Sequence, residues 1–418
     1  MKSTTRLQLS VMMFIEFFIW GAWYVTLGTF LVNNLHANGA QTGSVFSTQS
    51  WGAIIAPFII GLIADRYFNA EKILGVLHLV GAALMFYIYR SGGITSVYPE
   101  IFFYYLLAYM ILYMPTLALV NSISFNQMKD PEKEFSSIRV WGTIGWIVAG
   151  LLISFVFLWD AEANVKAGLM KNTFLLASVA SLVMGLFSFT LPKTPPKVAP
   201  GTKVKISEIL GLDALKLLKN TNFLIFFIAS ILICIPLAFY YQNANPFLSN
   251  IGVTNPTGKM TIGQASEVFF LLLLPVFFKK FGIKKTILVG MLAWALRYAL
   301  FAYGNAGELS FMLITGIALH GVCYDFFFVT GQIYTNSKAG VKYKSAAQGL
   351  ITLATYGVGM LIGFKIAGLI TDMYTTSDTL FNWKMIWIIP SAISLVVFLL
   401  FAISFNEKKE KSINNLNI

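Results

Sequence analysis

The chain has 418 residues, 57% of them hydrophobic and only 11% charged. A soluble domain is about a quarter charged, so this is an integral membrane protein. The formal net charge of +12 does not mark a nucleic-acid partner, because the basic residues lie in short loops between apolar spans, mostly on one side, as membrane topology requires.

A spanning helix needs about 20 apolar residues. Twelve stretches qualify, at about 7–32, 43–64, 72–91, 99–123, 139–159, 173–192, 221–248, 261–279, 285–304, 309–331, 346–371 and 384–405. The first runs from Leu7 to about Val32 with no small-residue cleavage pattern, so it is read as a span and not a leader. It carries one acid, Glu16, and the run Phe18-Ile19-Trp20-Gly21-Ala22-Trp23. The second ends in Gly61-Leu62-Ile63-Ala64-Asp65-Arg66, with Lys72 following. Gly61 permits a close helix approach, and Asp65 with the bases can form charge-assisted bonds that latch one conformation. The alternative is a turn with snorkelling bases.

The fourth stretch contains Met114-Pro115-Thr116-Leu117, and a polar run, Met128–Phe135, separates it from the fifth. The fifth opens with Ile138-Arg139-Val140-Trp141-Gly142-Thr143-Ile144-Gly145-Trp146. Arg139, Thr143 and Trp146 are spaced four and three apart and share a helix face. A cationic donor, a hydroxyl and an aromatic plane on one stripe suit a polar ligand with a ring. Arg139 snorkelling to the headgroups is the competing reading.

The segment 193–220 is a linker in composition, rich in lysine and proline, and divides the stretches six plus six. Within it Ile206–Leu218 is expected to form a short amphipathic surface helix. The eighth stretch opens with Gln264-Ala265-Ser266-Glu267. Gln264 and Glu267 share a face. An amide both donates and accepts, and a carboxylate can take two hydrogen bonds from a diol. Such a pair also serves simply to hold two helices together. Arg297 and Lys365 lie within spans, where snorkelling accounts for them and an outer gating role is the alternative.

The tenth stretch contains His320-Gly321-Val322-Cys323-Tyr324-Asp325. His320 and Tyr324 face together, and Asp325 points about 100° away from Tyr324 in an α-helix. A charge at the centre of a span costs on the order of 2.5–3.5 kcal/mol on insertion scales. Asp325 and Glu267 are retained at that cost if they bind a solute or exchange a proton, which points to a transporter. The two cysteines and three histidines offer neither a disulfide framework nor metal-ligand spacing, and no nucleophile–base set suggests an enzyme. The lysines and arginines collect in the loops on the N-terminal side of the membrane, which is expected to be cytoplasmic for both termini.

Six segments, Phe18–Trp23, Met114–Leu117, Ile138–Trp146, Gln264–Glu267, Trp294–Gly304 and His320–Phe327, resemble the nucleoside:proton symporter family of the major facilitator superfamily in order and spacing. The Gly61–Arg66 loop resembles the superfamily's loop signature. The resemblance implies an all-α membrane protein of twelve transmembrane helices in two six-helix bundles, spanning 1–192 and 221–405, with the linker 193–220 and a tail 406–418. It implies proton-coupled nucleoside uptake by alternating access across the bacterial cytoplasmic (inner) membrane. Nucleoside, protons and the lipid bilayer would be the partners, with no nucleic acid. A monomer is expected, with no cofactor beyond the proton gradient.

The resemblance carries substrate binding onto Arg139, Thr143, Trp146, Gln264, Glu267, Tyr324 and Asp325, with His320 where the family has a tyrosine. On the seventh stretch, where family members place amides, a gapless register meets Ala238 and Tyr241, with Gln242 and Asn243 just beyond; Tyr241 and Gln242 are the candidates. Glu16 stands where a neutral amide is common, as a second protonation site or a paired polar contact. Asp325 is expected to be the main proton carrier, with Arg139 as partner and Glu267 and Glu16 as further coupling acids. Gln264 and Glu267 would hold ribose or base groups, while Trp146 and Tyr324 stack on the base. Gly61, Asp65 and Arg66 would form the conformational latch. A proton symporter for a sugar or oligosaccharide is the alternative.

Overall fold

The computed structural model describes residues 2–60, 67–91, 98–130, 134–196, 212–377 and 380–406. The expected latch, Gly61, Asp65 and Arg66, lies outside the described residues. Backbone groups in hydrocarbon find no water, so an apolar stretch satisfies them internally as a helix. The longer helices are α1 Ser3–Gly21, α2 Leu27–Asn34, α3 Gly39–Ile59, α4 Ala70–Ser91, α5 Pro99–Gln127, α6 Ser136–Leu151 and α7 Asn172–Ser188. They continue as α8 Thr221–Asn250, α9 Pro256–Tyr303, α10 Ser310–Ala318, α11 Thr330–Thr352, α12 Met360–Met373 and α13 Trp383–Ser404.

Nine segments among the described residues are long and apolar enough to cross a membrane. One of them, α9, is 48 residues long and turns at Gly282, where φ is 74°. L side chains avoid that region and glycine does not. This helix therefore holds the predicted eighth and ninth stretches. The first two predicted stretches are helical as α1 with α2 and as α3, but they are too polar in the described residues to meet the same measure.

The chain forms two compact units. The first is Met1–Lys205 with Tyr240–Thr261 and Phe364–Leu380, and the second is Ile206–Phe239, Ile262–Gly363 and Phe381–Ile418. Chain order assigns 240–261 and 364–380 to the second bundle, yet they pack within the first unit.

Hydrogen bonds explain that packing. Asp372, near the end of α12, accepts from the backbone N–H of Gly39 and of Ala40, the latter at 2.9 Å. These are among the donors left unpaired at the start of α3, which Asn38 and Gln41 also cap reciprocally. Asp160 does the same for α9: its Oδ2 accepts from Thr257 N at 3.0 Å and from Ser154 Oγ, while Gly258 N donates to Ser154 Oγ at 2.6 Å. Between them run Thr29 to Asn245, Asn245 to Thr257 and Asn243 to Thr371. A Cβ at Gly39 would stand 2.5 Å from Gly368 O, so these backbones meet directly.

In the second unit, α8 meets the end of the preceding segment at Gly359 and the start of α12 at Gly363, where an added Cβ would meet Cys234 Cβ at 2.8 Å and Ala238 Cβ at 2.7 Å. Lys284 Nζ donates to Ala402 O and Phe405 O at the end of α13, where a cation also meets the negative end of the helix dipole. The described part of the expected amphipathic helix is the 3-10 turn Leu212–Lys219. It buries Ala214 against Ala339, Ala347 and Leu350, so one face of this piece packs on α11.

Candidate functional site

In the first unit the stripe on α6 is shaped by its glycines. A Cβ at Gly145 would lie 2.1 Å from Phe14 O, and one at Gly142 would meet Phe17 Cδ2 at 2.6 Å. Helix α1 therefore lies close against α6. The Arg139 guanidinium stacks 4.0 Å from the Phe17 ring centroid, a cation–π contact. Arg139, Thr143 and Trp146 are all half-buried. Trp146 meets Trp20 edge to face at 5.6 Å between centroids, and Trp20 meets Tyr113 and Tyr24. Tyr24 in turn contacts Tyr241 at 5.4 Å and donates to Gln49 Oε1. The candidate Tyr241 thus belongs to one aromatic cluster with Trp146. Gln242 does not: it is buried against α2 and α3, with Nε2 3.4 Å from Gly39 O.

Glu16 is 0% exposed. Its Oε2 lies 2.8 Å from His78 Nε2, and its Oε1 accepts from Thr116 Oγ1 at 2.6 Å. Tyr113 donates to the backbone carbonyl of the same residue at 2.8 Å. Of the two expectations for Glu16, this geometry has the form of a paired polar contact. His78 was invisible as a partner because 62 positions separate it from Glu16.

The second unit gathers the other acids. Two glycines bring α9 against the segment 320–324. A Cβ at Gly321 would fall 2.5 Å from Ser266 O and 2.6 Å from Glu267 N, and one at Gly263 would fall 3.1 Å from His320 Cβ. Gly321 N donates to Ser266 Oγ at 3.0 Å. Glu267 and His320 are thereby neighbours, with Oε2 to Nε2 at 3.9 Å. Gln264 lies half-buried one turn earlier on the same face.

Asp325 is 1% exposed. It stands where the chain changes from α-helix, His320–Tyr324, to π-helix, Asp325–Val329. Such widened turns concentrate at functional sites, and the change means that an ideal α-helix is a poor guide to where Asp325 points. Its Oδ2 has no hydrogen-bond partner among the described residues, and the charge of Glu267 acts on it. Tyr324 Oη is 2.6 Å from Tyr356 Oη. Tyr356 lies in a second π-helical stretch, Leu353–Gly359. Sequence reasoning missed it, although Thr355-Tyr356-Gly357 interrupts an apolar span. With Phe226, Ser230, Gln332 and Gln348 these two tyrosines line a narrow pocket inside the unit.

Arg297 corrects an expectation. It is 0% exposed, so it does not snorkel to the membrane surface. Its Nη1 lies 3.1 Å from His320 Nδ1 and its guanidinium 5.7 Å from the Phe301 centroid. Among the described residues no group of three or more histidine, cysteine, aspartate and glutamate side chains is placed to hold a metal.

The family model described as nucleoside H+ symporter matches residues 1–410. The chain is 43% identical over 414 residues to YegT of Escherichia coli (strain K12), covering 97% of this chain and 95% of that protein. It is 34% identical over 422 residues to the xanthosine permease of the same organism, covering 97% of each. A crystal structure of the nucleoside transporter NupG matches with a TM-score of 0.84 at 29% identity, over 96% of this chain and 99% of that one.

Proposed function

This chain belongs to the nucleoside H+ symporter family, and from that premise we propose that it takes up nucleosides with Asp325 carrying the coupled proton. It is a multi-pass membrane transporter. The observation that carries the assignment is Asp325 itself, a carboxylate 1% exposed on a π-helical turn, with Glu267 near enough for the two charges to interact. An acid kept at such a depth at a cost of about 2.5–3.5 kcal/mol is suited to taking up and releasing a proton.

Glu267 and Gln264 are suited to the ribose hydroxyls or base edge, because a carboxylate accepts and an amide does both. In the second unit Tyr324, held by Tyr356, presents a ring suited to a base, and in the first unit Trp146, held by Trp20, presents another. Stacking of this kind contributes about 1–3 kcal/mol per base. Arg139 is fixed over Phe17, which leaves its guanidinium on the α6 stripe as a donor for substrate. The proton gradient is the driving force. The lysine and arginine bias supports cytoplasmic termini and a place in the bacterial inner membrane.

The test is uptake of labelled uridine and adenosine into vesicles under an imposed pH gradient, with and without a protonophore. Asp325→Asn should reduce accumulation to the equilibrium level while nucleoside exchange across the membrane continues. A variant that still concentrates nucleoside against its gradient removes Asp325 from the role. Competition by free sugars in the same assay separates nucleoside from sugar transport.

A further inference from the structure

The starts of α3 and α5 lie side by side in the first unit, joined where Gln41 Nε2 donates to Glu100 Oε1. Beside this bond the two helices enclose a groove of about 480 Å³, a volume typical of small-ligand sites. Its floor is made of small residues. Ala40, Ser44 and Ser47 line it from α3, spaced four and three apart, so they share one helix face. Ser47 donates its hydroxyl to Ser44 O at 2.6 Å and adds little polarity to the floor. The walls are aromatic: Trp51 further along α3, and Phe103 and Tyr104 on α5. Trp51 is 42% exposed and Tyr104 66%, so these rings face out of the chain.

Polarity is graded along the groove. Asn38, Gln41 and Glu100 stand at the helix starts, and from Asn38 to Trp51 the lining covers about 20 Å of helix rise. Glu100 is the one charged group among the described lining residues. Asp372 adds a second anion at the start of α3, occupied with the amides of Gly39 and Ala40. Capping accounts for part of this arrangement, since Glu100 lies in the first turn of α5, at the positive end of that helix. It does not account for a long open groove with a carboxylate at one end and bare rings at the other.

We propose that the groove holds an amine-headed phospholipid, with its ammonium at Glu100 and the start of an acyl chain along Trp51. An ammonium has donors and no acceptor, and a carboxylate bonded through one oxygen still accepts through the other. Tryptophan and tyrosine faces attract the same cation, and both residues are enriched at the depth of the lipid headgroups. A nucleoside brings no cation for Glu100 and no tail to fill the length of the groove. The proposal is independent of the Asp325 assignment, because Glu100 and Asp325 belong to different units.

Native mass spectrometry of the detergent-purified protein tests it, with phosphatidylethanolamine, phosphatidylcholine and phosphatidylglycerol of identical acyl chains titrated in turn. Ethanolamine offers a cation with N–H donors, choline the cation without them, and the glycerol headgroup neither. The unaltered protein should retain one phosphatidylethanolamine about tenfold more tightly than phosphatidylglycerol, as a hydrogen bond to a charged group implies, with phosphatidylcholine between them. Glu100→Gln should bring the three lipids to about the same affinity. Ser44→Trp, which sets a large ring on an exposed part of the floor, should abolish the tight adduct. Equal retention of phosphatidylethanolamine and phosphatidylglycerol by the unaltered protein overturns the proposal, and that measurement needs no variant. A phosphatidylethanolamine preference that survives either substitution overturns it too. Displacement of the bound lipid by excess uridine would make the groove a nucleoside site, which also overturns it.

Discussion

At the scale of single residues, charges within apolar runs were the most legible feature. Asp325 and Glu267 stand out in any hydropathy reading because burying a charge is costly, and both fall in the second unit. Partners were not legible. His78 and Thr116 close around Glu16 from α4 and α5, and no local spacing announces contacts 62 and 100 positions away. Nor could the sequence distinguish a snorkelling Arg297 from a buried one, since both sit in the same apolar run. The Glu16 cluster gives a stability prediction. Breaking a buried pair by removing one member costs about 3–5 kcal/mol, so Glu16→Ala should lower the thermal midpoint in detergent markedly, and His78→Ala less so. Because the two side chains touch, the double variant should lose less than the sum. Strict additivity in thermal melts would mean the pair contributes no coupling.

At the scale of elements, helix positions followed from hydropathy, while helix irregularities did not. The twelve stretches map onto helices, including two within the 48-residue α9. The π-helical stretches at Asp325–Val329 and Leu353–Gly359 leave no mark in composition, because a widened turn uses the same apolar residues as a regular one. They place Tyr324 and Tyr356 together, which α-helical counting did not anticipate. Glycines in the sequence could be recognised as sites of close approach without revealing what approaches. Gly321 shows the difference. An added methyl would fall 2.5 Å from Ser266 O, inside van der Waals contact with backbone that cannot rotate away. Gly321→Ala should push the 320–324 segment off α9 and reduce uptake at least tenfold, mainly through KM, as misplacement near a site does. Uptake kinetics with surface-expression controls check this. Unchanged kinetics would show that the Glu267–His320 spacing is not needed.

At the scale of the whole molecule, the six-plus-six division describes chain order, and the compact units cut across it. Segments 240–261 and 364–380 join the first unit because Asp160, Asp372 and the asparagine–threonine contacts tie them there. The carboxylate ties span 97 to 333 positions and the asparagine–threonine contacts 12 to 216; they consist of single carboxylates and amides, which carry no periodic signal. Each carboxylate caps a helix start, and losing a cap costs about 0.5–2 kcal/mol. Asp160→Asn and Asp372→Asn should each speed amide hydrogen exchange at Thr257–Gly258 and Gly39–Ala40 respectively, and only there. Mass-spectrometric exchange measurements resolve the two regions, and equal protection in variant and parent would show that the caps contribute nothing.

The two caps are reciprocal: residues early in the chain supply the anion for α9, and residues late in the chain supply the one for α3. Parting either helix start from its carboxylate hands an anion and bare amides to the surrounding water at the same moment, and rejoining them expels that water again. Any motion that separates these segments is therefore also a cycle of wetting and drying, in which solvent takes the place of the departing protein groups one for one.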